Sequence, residues 1–132
     1  MKAFLIVVML LAFGLTTNVK TQPTTEEVFC ASNKKLDAQL NKVYQQILVE
    51  YRKDKLLILK LREAQRAWIE FSGKHLDSIY PRHGTYGSVN RTCQCQVMNG
   101  LIESRIEQLK QWVDGFEEGE VCAGSVKIKE SK

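Results

Sequence analysis

Proline occurs only twice, at Pro23 and Pro81, and the eight glycines fall mostly late in the chain. That scarcity excludes collagen-like and low-complexity disordered classes. No alternation of apolar and polar residues runs long enough to mark a strand. No Gly-rich phosphate-binding pattern is present, since His83-Gly84-Thr85-Tyr86-Gly87-Ser88 has neither the spacing nor a preceding strand. Charge of one sign is also lacking. The formal net charge is +4, and Lys and Arg alternate with Asp and Glu. A nucleic-acid partner is therefore not expected, because phosphate binding calls for a concentrated basic stripe. Cys93-x-Cys95 with His75 or His83 is the one conceivable zinc set, but there is no Cys-x-x-Cys pair and export would place the thiols in an oxidising compartment, so no metal and no cofactor are expected.

What is present is a short chain with patterned apolar residues. At 132 residues it has room for one domain. Met1-Lys2, the apolar run Ala3–Leu15 and the polar exit Thr16-Thr17-Asn18 match a secretory signal peptide, assigned to residues 1–22. The run is shorter than the ~20 residues a membrane-crossing helix needs, so no stable span is expected after signal removal. Residues 23–132 are then a single helical domain with a mobile C-terminal tail. Without Lys2 and Lys20 its net charge falls to about +2.

Three stripes at helical spacing follow. Leu36, Leu40, Val43, Tyr44, Ile47, Leu48 and Tyr51 form the first, with a start expected near Ser32 or Asn33. Asp54 is a candidate cap for the second, carried by Leu57, Leu61, Ala64, Trp68 and Phe71 and ended by Pro81. Pro81, Gly84, Gly87, Ser88 and Asn90 mark a loop. The third stripe runs through Met98, Leu101, Ile102, Leu109, Trp112, Val113 and Phe116. The expected fold is all-α, a small up-down bundle of three helices, or four.

Four cysteines remain after the signal: Cys30, Cys93, Cys95 and Cys122. An even count in a short exported chain implies two disulfides. A Cys93–Cys95 bond closes too tight a ring. Cys93 and Cys95 are therefore each expected to bond one of Cys30 and Cys122, in either arrangement.

The chemistry-bearing residues are few. Glu70, His75 and Asp77 are the one conceivable acid–base group, but no Ser or Cys nucleophile accompanies them, so no enzyme and no catalytic residue is expected. Asp114, Glu117, Glu118 and Glu120 form an acidic cluster at the end of the third helix. There they oppose the helix dipole and bring no folding benefit, which points to contact with a protein partner.

Leu36-Asp37-Ala38-Gln39-Leu40-Asn41-Lys42-Val43-Tyr44 and Leu61-Arg62-Glu63-Ala64-Gln65-Arg66-Ala67-Trp68-Ile69 together carry an Asp-x-x-Leu-Asn-x-x-Tyr segment followed by Gln-Arg-x-Trp. Gly87-Ser88, and then Arg105 with Leu109, complete a pattern that resembles the LprI-like family of exported bacterial proteins over about residues 30–112. The resemblance implies structural roles for Asp37, Leu40, Asn41, Tyr44, Gln65, Arg66 and Trp68. It also implies a periplasmic or secreted helical domain with a protein partner, a lysozyme by the family's name. The alternative is an envelope structural or assembly protein without inhibitory activity. The family's cysteines near the positions of Leu76 and Val97 are absent here, so its disulfide map does not carry over.

Overall fold

The computed structural model describes residues 22–129 and contains three helices: α1 (Thr25–Glu50), α2 (Lys55–Ile79) and α3 (Asn90–Asp114). The fold is all-α. The expected signal segment 1–22 lies outside the described residues except for Gln22.

α1 begins about two turns before the expected Ser32–Asn33 start. Thr24 is the N-cap of a capping box. The Glu27 backbone N–H donates to Thr24 Oγ1 at 3.2 Å, and the Thr24 N–H donates to Glu27 Oε2 at 2.7 Å. This places Cys30 on a helix. α2 starts where expected, with Asp54 Oδ1 accepting from the Leu57 N–H at 2.9 Å. It ends at Ile79 with Tyr80 as C-cap, because the ring of Pro81 pushes the preceding residue out of helical geometry.

The inner faces meet as the stripes require. Leu40 and Ile47 of α1, Leu57 and Leu61 of α2, and Ile102, Ile106 and Leu109 of α3 form the core, with Ile47 and Leu109 fully buried. Each such side chain contributes roughly 1.5–3 kcal/mol on leaving water. α1 and α3 run in the same direction and lie against each other along their length, whereas α2 approaches α3 at fewer positions.

The α1–α3 pair is tied at both ends. At one end Cys30 and Cys95 form a disulfide, and Asn99 Nδ2 donates to the Phe29 carbonyl at 3.1 Å. At the other end the Tyr51 hydroxyl donates to the Trp112 carbonyl at 2.9 Å and accepts from the Lys127 N–H at 3.1 Å.

The expectation of two disulfides is corrected to one: Cys93 and Cys122 are free. Side chains two apart on a helix face different directions, so Cys95 turns toward α1 while Cys93 does not. Cys93 is also separated from Cys122 by the whole of α3, a rod of about 30 Å from Cys93 to Asp114. A disulfide needs its Cα atoms within about 7 Å.

The C-terminal segment, expected to be mobile apart from Cys122, folds back onto the bundle as far as Lys129, the last described residue. Gly115 ends α3 at φ 75°, and a Cβ there would stand 2.8 Å from the Lys127 carbonyl oxygen. Beyond it the Phe116 N–H donates to the Lys127 carbonyl at 2.9 Å, the Lys129 N–H donates to the Phe116 carbonyl at 2.7 Å, and Val126 is buried.

Replacing Tyr51 by Phe removes both hydroxyl contacts and leaves the Trp112 carbonyl without that donor. Urea unfolding of Tyr51→Phe is expected to show a loss of about 1–2 kcal/mol. An unchanged midpoint would mean that water replaces the hydroxyl at no cost.

Candidate functional site

The acidic residues named from the sequence share the end of the bundle where α1 and α3 terminate, and all are exposed. Lysines stand among them. Lys129 pairs with Glu117, Lys127 Nζ lies 3.0 Å from Glu50, and Lys110 Nζ lies 2.7 Å from Glu107. Glu120 Oε1 accepts from the Cys122 N–H at 2.8 Å. Asp114 and Glu118 make no ion pair within 4.0 Å among the described residues, although the field of Asp114 helps Glu107 hold the Lys110 ammonium above the usual lysine range.

The Glu50 carboxyl is held below the ordinary carboxylate range, first by a hydrogen bond from Gln46 and then by Lys127. A lowered native pKa contributes stability above the unfolded value of about 4.3 and loses it as pH falls through the native value. Stability is therefore expected to drop on acidification through that range. Lys127→Ala should lessen the drop, as read from urea midpoints against pH. An identical pH slope in the variant would remove Lys127 from the linkage.

The motif residues divide between core and groove. Leu40 and Leu109 are core, Tyr44 and Trp68 are half-buried against it, and Asp37, Asn41 and Arg66 are exposed. Asn41, Tyr44, Arg62, Gln65, Arg66 and Ile69 line a cleft of about 310 Å³. Gln65 is buried, and its Oε1 accepts from Arg105 Nε at 3.0 Å across the α2–α3 contact. Arg105 Nη1 also donates to Gln108 Oε1 at 3.0 Å. Burial lowers the Arg105 pKa, since the charged form loses solvation there. Sequence reading placed Gln65 and Arg105 in one pattern but not in contact.

Beside this pair, α2 and α3 leave a groove of about 450 Å³ lined by Leu56, Leu57, Leu61, Ala64, Arg105 and Trp112, with Asp54, Lys60 and Ser125 completing its lining. Among the described residues, no group of three or more metal-ligating side chains occurs. Two of the three candidate acid–base residues, Glu70 and His75, have other partners. Glu70 pairs with Lys74, and the His75 ring stacks on Phe71 with centroids 5.4 Å apart.

Gln65→Ala deprives a half-buried guanidinium of one of its two acceptors. Thermal or urea unfolding of this variant is expected to show a loss of about 1–3 kcal/mol. A neutral result would mean that Arg105 swings out to solvent.

A family model described as Lysozyme inhibitor LprI matches residues 16–109 of the chain, which is more than half of it. No curated protein and no solved structure matches the chain.

Proposed function

From the premise that this chain belongs to the LprI family, we propose that it is an exported binding protein that inhibits a lysozyme. The observation that carries this reading is the family match itself, made over a segment that includes all of α1 and α2 and most of α3. The geometry supports it in two ways. The Cys30–Cys95 disulfide suits an oxidising compartment outside the cytosol. A bundle tied at both ends also presents an ordered surface, and a surface ordered before contact loses less entropy on binding.

The contact we assign runs along the end bearing Asp114, Glu117, Glu118 and Glu120. Lysozymes of the common animal type are strongly basic, and an exposed carboxylate such as that of Glu118 speeds encounter with a basic partner. The second reading, an envelope structural or assembly protein, draws support from apolar side chains left exposed on α2, Leu56, Leu59, Ile69 and Phe71.

The deciding experiment adds the oxidised protein to a cell-wall clearing assay with lysozymes of several types. The expected outcome is loss of lytic rate that saturates near equimolar ratio with at least one type, weaker at low salt for Glu118→Lys. No inhibition by any type at micromolar excess would remove the inhibitor reading and leave the envelope role.

A further inference from the structure

The groove between α2 and α3 has an unusual electrostatic composition. Its walls are Leu56, Leu57, Leu61, Ala64 and the Trp112 side chain, and Leu56 remains 67% exposed at its lip. At about 450 Å³ it falls within the range of small-molecule sites, which are mostly apolar with a few placed polar groups. The placed group here is Arg105. Its hydrogen bonds go to two neutral amide oxygens, those of Gln65 and Gln108, and no carboxylate lies within ion-pair distance of it among the described residues. A half-buried guanidinium with donors to spare and no counter-ion favours an anion, above all a carboxylate met in bidentate geometry.

The groove also has a direction. Arg105 lies beside Gln65, and Trp112 stands seven residues further along α3, about 10 Å away along the helix axis. Asp54, Lys60 and Ser125 also line the groove; the Asp54 carboxylate is already engaged in capping α2, and the Lys60 ammonium is paired with Glu63 at 2.9 Å, which leaves Arg105 as the cation without a carboxylate partner. The Asp54 carboxylate repels a second acid, so an anionic head is directed to Arg105 while an uncharged tail takes the remaining length. The stretch between is aliphatic, without the amide partners that an extended peptide needs.

We propose that this groove binds an amphipathic monocarboxylate of the medium-chain fatty-acid type, with its head on Arg105 and its tail along Leu57, Leu61 and Trp112. The proposal is independent of lysozyme inhibition.

The test is calorimetric titration with decanoate, decanol and acetate, together with the fluorescence of Trp112 read in a Trp68→Phe background. Decanoate binds. Decanol, which has the tail without the charge, binds about tenfold more weakly, and acetate does not bind. Arg105→Gln brings decanoate down to the level of decanol. Arg105→Lys restores part of the difference, which a purely structural role for Arg105 would not produce. Ala64→Phe fills the groove with Arg105 intact and abolishes binding of both long ligands, while circular dichroism reports an intact fold. Equal affinity for decanoate and decanol, binding that survives Ala64→Phe, or no decanoate binding below millimolar concentration overturns the proposal. So does tighter binding of an acidic peptide than of decanoate, which would give the groove to a protein partner.

Discussion

The parallel pairing of α1 with α3 is the constraint from which the rest of the molecule follows. Parallel helices in a three-helix chain are not sequence neighbours, so their association closes a long loop against chain entropy. Here the cost is offset at both ends. The Cys30–Cys95 bond, across a sequence separation of 65, contributes about 4 kcal/mol by the chain-entropy estimate. At the opposite end one phenolic oxygen, that of Tyr51, joins α1 to α3 and to the returning C-terminal segment. With those two helices tied, Ile47 and Leu109 become fully enclosed.

α2 is held differently. It joins α1 through a tight turn capped by Asp54, contributes Leu57 and Leu61 to the core, and meets α3 through Gln65 and Arg105. A charge-assisted hydrogen bond is directional and keeps the two side chains at a set distance. The result is a helix that covers the core without closing fully on α3, and the uncovered strip becomes the groove. Gln65 and Arg105 thus act as a spacer as well as a tie.

Much of this was legible in the sequence. Periodicity located all three helices, because each needs one apolar face and nothing else determines that face. Asp54 was readable as a cap because its side chain acts within one turn. The start of α1 was equally local, since Thr24 and Glu27 have capping-box spacing, but the polar run around them masked it. The missed features are long-range. Tyr51 reaches Lys127 across a sequence separation of 76, and Arg105 reaches Gln65 across 40. Nothing in a stripe of Leu and Ile says which distant polar residue will face it. The second disulfide failed for a related reason. An even cysteine count speaks to parity and compartment, while pairing depends on distance across a rod whose length enters only once α3 is placed. The acidic cluster was visible as composition, but Lys127 and Lys129, beyond Glu120 in the chain, share its end through the tail's return.

The single covalent crosslink also determines how the chain answers a mechanical load. Residues between Cys30 and Cys95 form a closed ring that holds all of α2 and the loop after it. Tension applied through the two termini passes directly across the sulfur bridge, and the ring stays slack. The oxidised molecule therefore stretches short of its full contour by about 220 Å, the span of an extended segment of that separation. A thiol reductant acting under load would release that hidden length in one step.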